Sequence, residues 1–213
     1  MSSTSCFQFL FPPENSFTQQ EQHPPLIAAY HEPPPHNNNN NDDVTNDDYY
    51  ANNPTVFGRI LDGKIPTRTY SESAELLAFR DISPHAPLHA LVIPKQHVKS
   101  VYSLLGIISQ SEGDSQDNND TQLIQNMRRM GLDLLEQHQP KAFISGDYIL
   151  CFHIPPFYSV DHLHLHVLAP ASEMNWVYRE IKYKCGARWC TSDLEVIERL
   201  KAGLPAVRYK RLF

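Results

Sequence analysis

The chain has 213 residues, with 18 Lys and Arg against 24 Asp and Glu, and a formal charge of −6. Residues 1–53 contain seven of the acidic residues and no Lys or Arg, so residues 54–213 carry a net charge of +1. The folding unit is therefore nearly neutral, and the overall charge does not exclude a polyanionic ligand.

Composition excludes two other classes of protein. No run of about 18 apolar residues is present, which argues against a membrane span. The N-terminus has no basic start and its short apolar patch stops at Pro12-Pro13, which argues against a secretory signal. We therefore expect an intracellular protein, cytoplasmic or nuclear or both, whose four cysteines are reduced thiols.

Residues 1–53 form a segment rich in Pro, Asn and acidic residues, with seven of the 17 prolines and an asparagine run over 37–41. Such a segment cannot bury enough apolar surface to offset the entropy of ordering it. We predict a disordered, solvated tail, and a partner-binding segment is the alternative.

Order is expected from Pro54 onward. A helix is predicted where Val56, Phe57, Ile60 and Leu61 share one face, and it ends at Asp62-Gly63. Strands are predicted over 67–72, 76–81 and 90–93, followed by a helix over 98–109 and a loop over 110–120.

The second half alternates in the same way. Thr121 is predicted to cap a helix that ends before Pro140. Strands are predicted over 148–154 and 162–168, and a last helix over 193–202 stops at Gly203. This order of elements predicts an α+β domain with an antiparallel sheet.

Three histidines alternate with apolar residues in the last predicted strand. Because side chains alternate along a strand, His162, His164 and His166 are expected on the face opposite Leu163, Leu165 and Val167. Metal binding is one interpretation, but a straight strand separates the outer two by about 13 Å, which strains a three-ligand site. Nucleophilic catalysis by a neutral imidazole is the interpretation we favour.

The segment HLHLHVL (162–168) resembles the signature of the histidine-triad (HIT) superfamily of nucleotide hydrolases and transferases. Phe57–Pro66 and Leu76–Val98 resemble two further blocks of that family, and FHIPPFYSVDHLHLHVLAP resembles the Hint3 type of its Hint branch. The resemblance implies a HIT-like fold with about five strands and two main helices. It implies a HIT domain over 54–170 and a C-terminal extension over 171–213 packed on that domain.

The resemblance also implies a mechanism without a metal or cofactor. His164 would attack the α-phosphorus of a nucleotide, and His162 would hold the correct tautomer of His164, partly through its backbone carbonyl. His166 and His89 would contact the phosphate oxygens. Ser159 would donate a hydrogen bond near the leaving group.

The nucleotide-binding residues implied by the resemblance lie earlier in the chain. Asp81 would accept hydrogen bonds from the ribose hydroxyls. Phe57, Ile60 and Ile82 would line a pocket for the base, with ordinary core packing as the alternative for all three. Cys151 stands where many Hint proteins have Asn, and we expect a small buried residue there.

The function expected is a hydrolase that releases AMP from adenylated amines, with a purine nucleotide or AMP conjugate as substrate. One alternative is aprataxin-like removal of AMP from DNA 5′ ends. It is less favoured because Cys185 and Cys190, with no His after His166, do not make a four-ligand zinc site. A non-catalytic nucleotide-binding scaffold is the other. A homodimer is compatible with the resemblance, a membrane partner is not expected, and nucleic acid is less favoured.

Overall fold

A computed structural model describes residues 53–105 and 117–208. The predicted disorder of the tail, apart from Asn53, lies outside the described residues. The same holds for 106–109 of the helix predicted over 98–109 and for 110–116 of the loop that follows it.

The described residues form one antiparallel sheet of six strands, in the order β1-β2-β3-β5-β4-β6. The strands are β1 Thr69–Glu72, β2 Leu76–Arg80, β3 Leu88–Pro94, β4 Ile149–His153, β5 Leu165–Ala169 and β6 Cys190–Ser192. The antiparallel α+β prediction is confirmed, with one strand more than the five implied. The additional strand, β6, has only three residues, too few to show an alternating pattern.

The helices are α1 Val56–Leu61, α2 Asp117–His138, α3 Pro140–Ser145 and α4 Asp193–Lys201. Short 3-10 turns cover Val101–Ser103 and Ala171–Glu173, and a π-helical turn covers Tyr178–Lys182. In α2, Gly131 has no side chain between the helix and the sheet, and a Cβ there would lie 3.1 Å from Val167. This close approach lets α2 pack directly against β5, with the main hydrophobic core between them.

Two predictions around residue 120 are wrong. Residues 117–120 belong to α2 rather than to a loop, so Thr121 lies inside the helix and does not cap it. Its buried hydroxyl has no hydrogen-bond partner in the described part of the chain. In the described part of the preceding segment, residues 98–105, the helical residues are Val101–Ser103, a single 3-10 turn that Ser100 caps.

The strand predicted over 162–168 begins three residues later, at Leu165. His162 and Leu163 lie outside the ladder of β5, although the Leu163 N–H still donates to the Val98 carbonyl at 2.7 Å. Leu163, Leu165 and Val167 are all buried in the main core. The apolar half of the alternation therefore holds, while the first two histidines are placed by their own side-chain hydrogen bonds.

The two faces of the sheet differ at β4 and β5. Leu150, Phe152 and Leu165 face the main core. Cys151 and His166 are paired in register and therefore share the opposite face. Residues of the C-terminal segment cover this face, with Tyr183 and Cys190 in one cluster with Cys151.

Among the described residues, no helix is both long enough and apolar enough to cross a membrane.

Candidate active site

His164 lies at the end of the loop before β5 and is 9% exposed. Its Nδ1 is 2.7 Å from the backbone carbonyl oxygen of His162, which can only accept, so Nδ1 carries the proton and donates. The Nε2 atom then holds a free lone pair. Burial lowers the pKa of His164, opposed by that hydrogen bond and by Asp81, so the ring is neutral at pH 7.

His162 is a fixed support for His164. Its Nε2 donates to the Pro94 carbonyl at 2.8 Å, and its Nδ1 therefore accepts from the side-chain amide of Asn53 at 2.9 Å. Burial lowers the pKa of His162 to about 4, against the effect of the Pro94 hydrogen bond. Both ring nitrogens are occupied, so this side chain positions the loop and leaves His164 as the free base.

Composition predicts that Asn53 belongs to the disordered tail, but in the structure this residue is buried, with 5% of its surface exposed. Its Oδ1 accepts from the Thr55 hydroxyl at 2.7 Å while its amide reaches His162. A Cβ on Gly58 would lie 2.1 Å from the Asn53 carbonyl oxygen, so α1 needs glycine here. The Asn-Pro-Thr turn before α1 was the available sequence signal.

His89 and His166 form a hydrogen-bonded pair with defined tautomers. The backbone N–H of His85 donates to His89 Nδ1 at 3.2 Å, so His89 carries its proton on Nε2. That N–H is 3.0 Å from His166 Nδ1 and donates to it. His166 therefore carries its proton on Nε2, a buried donor with no partner among the described residues.

The family resemblance predicts that His89 contacts the phosphate directly, whereas the structure buries its side chain. Its side chain is fully buried, and burial lowers its pKa to about 3. It therefore acts on His166, whose orphan Nε2–H is available to a ligand oxygen. Asp81 lies beside the pair, with Oδ2 3.4 Å from His89 Nε2 and Oδ1 accepting from the Ser83 N–H at 2.7 Å.

Sequence reasoning missed two side chains that surround His166. The His153 ring is edge-on to it at 4.6 Å between centroids, and His153 Nε2 donates to the Lys182 carbonyl at 3.2 Å. The Lys182 ammonium is 3.2 Å from Nε2 of His85. No motif identifies Lys182, because its position near the histidines comes from the fold of residues far along the chain.

The predicted base-pocket residues are in different environments. Phe57 is 6% exposed and packs edge-on against Phe79 at 5.6 Å and against His164 at 5.4 Å. Ile60 is half-buried against the same apolar cluster. Ile82 is fully exposed. Phe57 therefore packs with the core and contacts His164, and a base pocket formed by Phe57, Ile60 and Ile82 stays a prediction.

Ser159 is exposed on the loop between β4 and β5. The cavity beside His162 and His164 has a volume of only about 10 Å³, whereas pockets for small molecules usually have about 300–1,000 Å³. A larger cavity of about 280 Å³ lies between residues 154–157 and the C-terminal segment and contains none of His162, His164 and His166. The larger cavity is therefore separate from the row of histidines.

Among the described residues, three groups of side chains have metal-ligating atoms within 4.8 Å of one another: His153, His164 and His166; Asp81, His89 and His166; and Cys151, Cys185 and Cys190. The first two groups share His166, whose Nδ1 already accepts from His89. We interpret the second group as a hydrogen-bonded network, whereas His153 and His164 of the first group donate to backbone carbonyls. The third group joins Cys151 to Cys185 and Cys190, the two cysteines that do not make a four-ligand zinc site by themselves.

Residues 54–182, more than half of the chain, match the family model described as scavenger mRNA decapping enzyme C-term binding. Adenosine 5'-monophosphoramidase HINT3 of Danio rerio is 35% identical over 137 residues, covering 64% of this chain and 75% of that protein. HINT3 of Mus musculus is 30% identical over 148 residues, covering 68% and 81%. The bifunctional adenosine 5'-phosphosulfate phosphorylase/adenylylsulfatase HINT4 of Arabidopsis thaliana is 35% identical over 133 residues, covering 62% and 80%.

Among solved structures, a HIT family hydrolase from Clostridium thermocellum is similar, at 26% identity and a TM-score of 0.42. The similarity covers 54% of this chain and 89% of that one.

Proposed function

The chain belongs to the histidine-triad family as a Hint-type hydrolase, and we propose that it releases AMP from adenylated amines through a covalent nucleotidyl-histidine. The proposal rests on one observation above all, the hydrogen bond from His164 Nδ1 to the His162 carbonyl. It leaves the Nε2 lone pair of a neutral imidazole as the nucleophile.

The reaction takes two displacements at phosphorus. In the first, His164 Nε2 bonds to the α-phosphorus, the P–N bond of the substrate breaks, and the amine leaves after taking up one proton from solvent. In the second, water attacks the same phosphorus and releases one proton to solvent, the bond to Nε2 breaks, and AMP and free His164 are released. Because His164 replaces water as the attacking group in the first step, the enzyme avoids direct attack of water on the phosphoramidate.

We assign stabilisation of the phosphate to His166 and Lys182, which lie on the histidine-bearing face of the sheet. His166 offers its Nε2–H, which has no partner in the described residues, and Lys182 offers the nearby positive charge. A donor already oriented in a buried site costs no reorganisation when charge develops on the oxygens. His89 keeps His166 in the donating tautomer.

The remaining contacts concern the nucleoside and the leaving group. Asp81 keeps lone pairs for the ribose hydroxyls, Ile82 offers an exposed apolar side chain for the base, and Ile60 borders the same apolar cluster as Phe57. Ser159, exposed on the loop between β4 and β5, donates to the departing amine. The same proposal includes a homodimer and an intracellular location in the cytoplasm, the nucleus or both.

The test is release of AMP from an AMP–lysine conjugate by the full chain, followed by chromatography. His164→Asn should lower kcat at least about 10³-fold, because the nucleophile is lost while the core stays intact. His138→Gln, at the far end of α2, is the control and should keep full activity. Mass spectrometry of acid-quenched single turnovers should find AMP on the peptide that contains His164.

Three results contradict the proposal: no AMP release by the wild-type chain, full activity of His164→Asn, or AMP on another residue. Adenylated DNA 5′ ends serve as a second substrate in the same assay. A preference for them over AMP–lysine would favour the aprataxin-like function, and nucleotide binding without turnover would favour the scaffold.

A further inference from the structure

Three cysteines meet on the histidine-bearing face of the sheet, and we call Cys151, Cys185 and Cys190 the thiol cluster. Their sulfur atoms all lie within 4.8 Å of one another, and the Cys185 thiol also donates to the Tyr183 carbonyl at 3.9 Å. Cys151 and Cys190 are fully buried, whereas Cys185 is exposed. None of the three forms a disulfide.

The fold creates this cluster from positions far apart in the chain. Cys190 pairs with His153 in the β4–β6 ladder and so lies diagonal to Cys151, on the same face of the sheet. A turn at Gly186 brings Cys185 back to the other two cysteines. At Gly186 φ is +83°, and its N–H donates to the Cys190 carbonyl at 3.0 Å. A residue with a Cβ is strained at this φ, so the glycine specifies the turn.

Ordinary packing accounts for one buried cysteine, since a free thiol behaves as a small hydrophobe. It does not account for Cys185, which is exposed and still directs its sulfur toward the two buried ones. Three sulfur atoms that converge on one point, one of them on an exposed residue, have the donor arrangement of a soft-metal site.

We propose that the thiol cluster binds one Zn²⁺ ion through three thiolates, with a solvent molecule as the fourth ligand on the open side of Cys185. Zn–S bonds of about 2.3 Å place tetrahedral sulfur atoms about 3.8 Å apart. The sulfur atoms therefore need to move together by at most about 1 Å from their separations in the structure. The thiols release their protons to solvent as the metal binds.

The ion has a structural role that is separate from the hydrolysis. It joins the turn before β6 to the interior strand β4 and so fixes the segment that carries Tyr183 and Lys182. Both residues lie against the histidines, with Tyr183 stacked on His153 at 5.2 Å between ring centroids. Metal binding thus holds the C-terminal segment over the active site.

The experiment measures metal on the full chain without substrate, so its outcome is independent of the proposed reaction. Protein purified under reducing conditions should retain one Zn²⁺ per chain by elemental analysis. Replacement with Co²⁺ should give a thiolate-to-cobalt charge-transfer band. Cys185→Ser, on an exposed turn, should lose both, and Cys6→Ser is the matched control that should keep them.

A second measurement uses only the wild-type chain. Alkylation of the exposed Cys185 should slow at least about tenfold in the presence of Zn²⁺, because a metal-bound thiolate is a poorer nucleophile, and a chelator should restore the rate. Absence of bound metal, full binding by Cys185→Ser, or a disulfide within the cluster in place of metal would each overturn the proposal.

Discussion

At the scale of single residues, the site depends on which nitrogen of each imidazole carries the proton. Carbonyl oxygens and one backbone N–H decide this, because their donor or acceptor role is fixed. The His162 carbonyl sets His164, and the His85 N–H sets His89 and through it His166. The result is a neutral imidazole with a free Nε2 lone pair beside an oriented donor.

We predict that His89→Phe lowers kcat about 10–100-fold, the effect typical of removing an outer hydrogen-bond partner of a functional histidine. Phe fills the space but no longer donates to His166 Nδ1, so His166 loses its preferred tautomer. His89→Gln, which can still donate, should recover part of the activity. The measurement is kcat with AMP–lysine across pH 6–9, with circular dichroism as the folding control.

If His89→Gln were no more active than His89→Phe, or if the pH profile of kcat did not change, the role of His89 would be packing alone.

At the scale of elements, α2 and α4 are joined by an ion pair between Arg128 and Asp193. Asp193 opens α4 after the Ser192 cap and is 3% exposed. Burial raises the pKa of Asp193, and Arg128 opposes that shift. An acidic group in the first turn of a helix is favourable, but a buried one depends on its partner.

Arg128→Ala should therefore lower the free energy of unfolding by about 3 kcal/mol, because it leaves a buried carboxylate without its partner. This value is at the low end of the usual cost of breaking a buried ion pair, because the Arg128 side chain is 23% exposed. Urea unfolding at pH 7 measures the change. The exposed neighbour Arg129→Ala is the control, with an expected change within about 0.5 kcal/mol; equal losses in both variants would contradict the prediction.

At the scale of the whole molecule, burial of uncharged histidines makes stability depend on pH. An unfolded histidine has a pKa near 6.5, whereas burial lowers the pKa of His162 to about 4 and of His89 to about 3. The groups that face these two rings are Asn53, His97 and His164 around His162, and Asp81, His85, His153, His166 and Lys182 around His89.

Between pH 6.5 and pH 4 the unfolded chain binds protons on these two histidines that the folded chain does not. The free energy of unfolding should thus be highest above pH 6.5 and fall as pH decreases, by at most about 2.7 kcal/mol per unit for the two. Urea unfolding from pH 7.5 to 4.5 tests this. His162→Phe should reduce the slope by at most about 1.4 kcal/mol per pH unit, the contribution of one histidine, and a stability independent of pH would exclude the mechanism.

Local periodicity in the chain is enough to predict the α+β class, the antiparallel sheet and the burial of Leu163, Leu165 and Val167. The proton positions on the histidines depend instead on contacts that form in the folded protein. Hydrogen bonds from Asn53, Pro94 and the His85 backbone come from distant positions, and no spacing in the chain encodes them. The same is true of Lys182 and the thiol cluster, which the fold of the C-terminal segment brings to the sheet.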